Sequence, residues 1–212
     1  MAELLAFDLD GTLIDSRLDL VNAVNCMRQS MNLEPIDNER VIRMVGNGIN
    51  SLVRRAVADA DVDVDTALKR MKRFYADNLL ESTCLYPGVA SGLAELQKQN
   101  LRLAVVTNKV ADATATILEA LGIAGYFCDI IGGDDIYPLK PEPDSLLALQ
   151  QKYNLDARDC WMIGDNYTDL EAGRRAGFRR IFCTYGFGDV QAETPDYTVD
   201  NFSEIADVIR GF

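Results

Sequence analysis

Short apolar runs recur along this 212-residue chain, each too short for a helix and most followed by a stretch with helical spacing. They are residues 3–7 (Glu-Leu-Leu-Ala-Phe), 101–106 (Leu-Arg-Leu-Ala-Val-Val), 129–131, 160–163 (Cys-Trp-Met-Ile), 178–183 and a weaker run at 197–199. Runs of this kind suit strands buried on both faces. Between them, apolar residues fall at helical intervals: Val89, Leu93 and Leu96 in 88–99, Ile117, Leu118 and Leu121 in 111–121, and Leu146, Leu147 and Leu149 in 143–153. The segment 167–176 stops before Gly177, a residue suited to end a helix. Strand alternating with helix predicts an α/β fold, a Rossmann-like parallel sheet joined by right-handed crossovers.

Residues 16–83 interrupt that rhythm. They read as helices only, over 17–32, 37–44, 49–60 and 65–80, with stripes such as Leu20, Val21, Val24, Met27 and Met31. The reading is an inserted α-helical domain, 16–83, within a core made of 1–15 and 84–212. Charge divides at the same boundaries. The insert carries 10 basic and 10 acidic side chains, whereas the rest carries 11 and 23, so the whole net charge of −12 sits on the core.

The chain has no histidine, which excludes a Ser-His-Asp triad, a histidine general base and histidine-ligated metal sites. The acidic excess repels phosphate backbones, so no nucleic-acid partner is expected. No apolar run approaches the roughly 18 residues of a membrane span. The first residues lack the basic region of a signal peptide. Five scattered cysteines with no Cys-x-x-Cys pair read as buried, reduced thiols in a cytoplasmic protein.

The chemistry concentrates at strand ends. Asp8-Leu-Asp10-Gly11-Thr-Leu follows the first run, where open α/β sheets bind ligands. Period-two alternation puts Asp8 and Asp10 on one side if the strand continues through both. Two such carboxylates can divide nucleophilic attack and proton transfer. An Asx turn or a calcium loop is the competing reading. The calcium loop fails because its twelfth position, Asp19, is not Glu.

The hexapeptide resembles motif I of the haloacid dehalogenase-like (HAD) superfamily of phosphatases. Three further motifs follow in that family's order: Thr107-Asn108 after 101–106, Lys140 in Lys-Pro-Glu-Pro, and Gly164-Asp165-Asn-Tyr-Thr-Asp169 after 160–163. The resemblance implies the HAD fold with a helical cap and Mg²⁺ as cofactor. It makes Asp8 the nucleophile, Asp10 the acid and base, and Lys140 a cation bridging Asp8 and a phosphate oxygen. Thr107 and the amide of Asn108 would bind phosphate. Asp8, Asp165 and the carbonyl of Asp10 would hold the metal, with Asp169 reaching it directly or through water.

Asp10 favours phosphoryl transfer over dehalogenation, since family dehalogenases lack an Asp there. Phosphonate hydrolysis in the family uses a cap lysine, and Lys69 and Lys72 each lie beside an arginine in a solvated-looking helix. Arg43-Met-Val-Gly46-Asn47-Gly48 breaks two helical patterns and is the candidate substrate-recognition loop, with Arg43 meeting a substrate carboxylate. This loop, the run Gly132-Gly-Asp-Asp135 and the ending Tyr185-Gly-Phe-Gly188 resemble the phosphoglycolate phosphatases of that family. The implied partner is a small phosphorylated metabolite, 2-phosphoglycolate first. Pyrophosphate, a nucleotide or a sugar phosphate is the alternative, and a mutase or a non-catalytic scaffold stands behind those. A monomer or homodimer is expected.

Overall fold

The computed structural model describes residues 3–211; Met1, Ala2 and Phe212, the ends of the expected core segments, lie outside the described residues. Six parallel strands form one sheet in the order β5-β4-β1-β6-β7-β8. They are β1 (Leu4–Phe7), β4 (Arg102–Val106), β5 (Asp129–Ile131), β6 (Cys160–Gly164), β7 (Arg179–Cys183) and β8 (Tyr197–Val199). A separate ladder pairs β2 (Ile14–Asp15) antiparallel with β3 (Cys84–Leu85).

The central strands β1 and β6 are buried on both faces, as their apolar sequences require. Leu5 and Phe7 of β1 enter one apolar cluster with Leu103, Val105, Trp161 and Ile163. Their alternates Leu4 and Ala6 enter another with Ala104, Val106, Cys160 and Met162. Helices α5 (Val89–Lys98), α6 (Ala111–Ala120) and α9 (Glu204–Arg210) contribute to the first cluster, and α7 (Asp144–Tyr153) and α8 (Tyr167–Ala176) to the second. Helix α8 has a definite start: Asn166 accepts from the Thr168 N–H at 3.2 Å, and the Asp169 carboxylate accepts from the Asn166 N–H at 3.0 Å.

Helices α1 (Arg17–Ser30), α2 (Asn38–Ile42), α3 (Gly48–Ala56) and α4 (Val64–Asp77) fill the segment between β2 and β3. The chain leaves and returns side by side, with Asp15 opposite Cys84. Just beyond, the buried Asp19 carboxylate accepts from the backbone N–H groups of Ser82 and Thr83 and from the Thr83 hydroxyl, at 2.6–3.1 Å. This clamps the two connecting segments together.

Two expectations need correction. Only Cys160 and Cys183 are buried; Cys26, Cys84 and Cys128 are exposed, and all five thiols are free. Cys26 is exposed because it lies one residue from Met27 on a helix whose apolar stripe faces inward. Helix α9 was not expected. Its inward residues Ile205, Ala206 and Ile209 amount to barely two turns, too few for a period to register.

Candidate active site

β1 lies between β4 and β6, its C-terminal end in register with theirs: Phe7 stands opposite both Val105 and Ile163. Asp8, Thr107 and Asp165 therefore emerge side by side at the carboxyl edge, where the chain departs to opposite sides of the sheet. Oxygens of Asp8, Asp165 and Asp169 lie within 4.8 Å of one another, on three buried residues. One ammonium is set against them. Lys140 Nζ donates to Asp8 Oδ1 at 2.9 Å, to Asp169 Oδ1 at 2.6 Å and to the Val106 carbonyl at 2.6 Å. An ammonium has three N–H donors, so this set uses all of them. Lys140 holds Asp8 as expected and ties it also to Asp169.

Burial works against the charge on Lys140, but Asp169 and Asp8 outweigh it and hold its pKa above the ordinary value. The carboxyls are less well compensated. Burial, then the charges of Asp8 and Asp169, push Asp165 well above the carboxylate range. Burial also pushes Asp169 up to about 7, against the pull of Lys140. Three carboxyls facing one ammonium leave negative charge that a cation would neutralise.

Asp165 is gripped from several sides. Its Oδ2 accepts from the N–H groups of Phe187 and Gly188 at 2.9 and 2.8 Å. Gly11 passes over it with φ +87°, so close that a Cβ there would sit 2.0 Å from Oδ2. A Cβ on Gly186 would lie 2.3 Å from that of Asp165. The 185–188 run, singled out only by resemblance, is therefore the outer wall of this carboxylate. Asp8 Oδ2 and Asp165 Oδ1 accept no hydrogen bond among the described residues. Two unclaimed carboxylate oxygens on buried residues suit a hard divalent cation such as Mg²⁺.

Asp10 lies beside this group. Its Oδ1 accepts from Ser16 Oγ at 2.5 Å, and Lys109 Nζ donates to Oδ1 and Oδ2 at 2.8 and 2.9 Å. Lys109, which sequence reasoning passed over, is half-buried with a side chain 5% exposed; desolvation opposes its charge, but Asp10 and Tyr75 hold its pKa above the usual range. Its Nζ lies 4.7 Å from the ring centre of Tyr75 on α4. The only available signal was its place directly after Thr107-Asn108.

Thr107 Oγ1 accepts from the Lys109 N–H at 3.2 Å, which leaves its own O–H to donate. The Asn108 side chain acts as a tie. Its Nδ2 donates to the carbonyls of Gly46 and Lys140, and its Oδ1 accepts from the Lys140 N–H, all at 2.9 Å. The expected recognition loop therefore rests on the core. A Cβ on Gly46 would lie 2.7 Å from Asn166 Nδ2, and Asn47 Nδ2 donates to the Tyr167 hydroxyl at 2.8 Å. Arg55 braces the loop through the Met44 carbonyl and Asn47 Oδ1.

A partly open cavity of about 70 Å³ lies between segment 16–83 and the carboxyl edge of the sheet. Asp8, Asp10, Thr107, Asn108, Lys109 and Asp165 line its core side; Gly46 and Gly48 line it from the insert, with Leu20, Val45, Ile49, Leu52 and Tyr75. Asn47 stands outside the lining, turned to Tyr167. Arg43 is not brought to the cavity: its side chain is 68% exposed and pairs with Glu39 at 3.6 Å. Val41 is buried, and a residue two further on points to the other side of a helical turn.

Residues 5–183 match the haloacid dehalogenase-like hydrolase family. The chain belongs to that family. It is 39% identical over 211 residues to the phosphoglycolate phosphatase of Chromobacterium violaceum, covering 97% of this chain and 95% of that one. It is 36% identical to the phosphoglycolate phosphatase of Photobacterium profundum, with 97% and 95% covered. The crystal structure of a predicted phosphoglycolate phosphatase from Haemophilus somnus superposes with a TM-score of 0.94 at 31% identity, covering 98% of this hydrolase and 97% of that chain. Among the described residues, no helix of the hydrolase is long and apolar enough to cross a membrane.

Proposed function

We propose that this hydrolase is a Mg²⁺-dependent phosphatase that cleaves a small phosphate monoester, 2-phosphoglycolate, through an aspartyl-phosphate on Asp8. Residues 16–83 act as the cap domain, and 1–15 with 84–212 as the catalytic core. The observation that carries the reading is an Asp8 carboxylate on the cavity wall, with one oxygen held by Lys140 and the other unclaimed. The curated relatives' activity supports the choice of substrate.

Lys140 fixes Asp8 in one orientation and offsets part of the repulsion between a carboxylate and a phosphate dianion. A carboxylate oxygen of Asp8 attacks phosphorus, and the bond from phosphorus to the ester oxygen breaks. The leaving oxygen takes its proton from Asp10. Lys109 and Ser16 keep Asp10 aimed. Asp10 then takes a proton from water, which attacks phosphorus and releases Asp8 and inorganic phosphate. The Thr107 hydroxyl and the Asn108 N–H donate to the phosphoryl oxygens.

Asp8, Asp165 and the Asp10 carbonyl would hold Mg²⁺, with Asp169, whose oxygens accept from Lys140 and the Asn166 N–H, reaching it through water. When bound, the ion offsets charge on the phosphoryl oxygens. At about 10–15 Å³ per water, the roughly 70 Å³ of the cavity has room for a phosphoryl group with a short chain.

A phosphate-release screen over small phosphoesters, with and without Mg²⁺, tests the proposal. The expected result is release from 2-phosphoglycolate with no acceptor added, lost when the metal is chelated. Turnover that survives chelation, or an isomerised product in place of free phosphate, would sink it.

A further inference from the structure

The cavity wall carries a hydroxyl whose neighbour is the Lys109 ammonium and whose own O–H finds no acceptor among the described residues. Tyr75 is 5% exposed, and its Oη has no hydrogen-bond partner among the described residues. Thr12 Oγ1 and Tyr86 Oη share that condition, but neither residue lines the cavity; Tyr75 does. A buried hydroxyl without a partner is unfavourable. Here it is explained if a ligand completes it.

Beside it stands Lys109, the one cationic side chain that lines the cavity among the described residues. Two of its three N–H donors go to Asp10, and its Nζ faces the Tyr75 ring. The other side chains that the insert turns to the cavity are apolar: Leu20, Val45, Ile49 and Leu52. Arg43 is on the outside. We infer that Tyr75 Oη and Lys109 Nζ form the subsite for the non-reacting end of the substrate, and that this end is a carboxylate. A phenol donor beside an ammonium recognises an anionic oxygen and offers little to a methyl group. Tyr75 belongs to the insert and Lys109 to the core, so the subsite is complete only when the two are closed together. The inference rests on the phosphatase reading and sharpens it by naming what selects a carboxylate-bearing phosphoester.

The test compares kcat/KM for 2-phosphoglycolate and for ethyl phosphate, which has the same chain without the carboxylate, using the Mg²⁺-loaded enzyme. Wild type is expected to prefer 2-phosphoglycolate. Tyr75→Phe keeps the ring and removes one hydrogen bond to a charged group, so the preference should fall by about tenfold or more. Its Tm should hold or rise, because an unpartnered hydroxyl has gone; a structural role would lower it. Lys109→Gln also releases Asp10, so both rates should fall, and the preference with them. A preference unchanged in either variant, with wild type still selective, would overturn the subsite alone. A wild type with no preference would overturn the carboxylate reading and this inference together, while metal-dependent phosphate release would leave the phosphatase itself standing.

Discussion

Substituting Gly11 by alanine should uncouple the metal site from the fold, and the structure supplies its own control. Gly11 has φ +87°, and an added Cβ would fall 2.0, 2.4 and 2.6 Å from Oδ2, Cγ and Oδ1 of Asp165. Real contacts of this kind do not fall below 3.0 Å, so Asp165 must retreat by about 1 Å. That movement strains its bonds to the Phe187 and Gly188 N–H groups, each a charge-assisted bond of about 1.5–3 kcal/mol. The left-handed backbone adds about 1–2 kcal/mol. Gly122 has nearly the same φ, +71°, with nothing within 4 Å of an added Cβ. Gly122→Ala therefore carries the backbone term alone. Urea denaturation should show a loss of about 1–2 kcal/mol for Gly122→Ala and about 2–5 kcal/mol for Gly11→Ala. Calorimetric titration should show Mg²⁺ affinity unchanged in the first and weakened at least about tenfold in the second. Turnover should fall about a hundredfold only in Gly11→Ala, in line with a 1 Å misplacement. Gly11→Ala with Mg²⁺ affinity within threefold of wild type would refute the claim that Gly11 holds Asp165 in place for metal.

Three other outcomes are expected. Arg43→Ala should leave kcat/KM for 2-phosphoglycolate within a factor of two, since its partner is the exposed Glu39; a tenfold loss would return it to the substrate. Asn108→Ala removes three hydrogen bonds joining loop 46–48, the Lys140 segment and strand β4, and should cost about 2–4 kcal/mol by urea denaturation; a cost below about 1 kcal/mol would show that the tie matters little. The pH dependence follows from Asp169 and Asp165, whose folded-state pKa values are raised, Asp169 to about 7. Between pH 4 and 7 these two carboxyls bind more protons in the metal-free folded state than in the unfolded state, so their contribution to stability falls as pH rises through that window. Mg²⁺ competes with those protons. The Tm increment from saturating Mg²⁺ should therefore grow from pH 5 to 7.5, and an increment that shrinks would contradict the assignment.

The sheet could be read in advance because its strands are apolar on both faces and end at turn residues; β1, β4 and β6 each deliver a polar group at a legible point, Asp8, Thr107 and Asp165. Strands β2 and β3 could not be read, since two residues each carry no alternation and are defined by pairing across the insert. Lys109 and Arg43 exchanged expected importance for a similar reason. Arg43 drew attention by adjacency to a glycine loop, but helix phase turns it outward. Lys109 sits in a loop with no period, and its setting depends on Asp10 and Tyr75, 99 and 34 residues earlier in the chain. Lys140 was legible as a needed cation, but its partners depend on how α8 brings Asp169 back beside Asp8.

The central claim is that Asp8 accepts the phosphoryl group. The direct measurement is rapid quenching of turnover with phosphoryl-labelled 2-phosphoglycolate, followed by peptide mapping, in wild type and Asp8→Asn. The account predicts label on the peptide containing Asp8 in wild type, no label in Asp8→Asn, and variant turnover under about a hundredth of wild type. Asp8→Asn turnover within tenfold of wild type, or label on another residue, would contradict it.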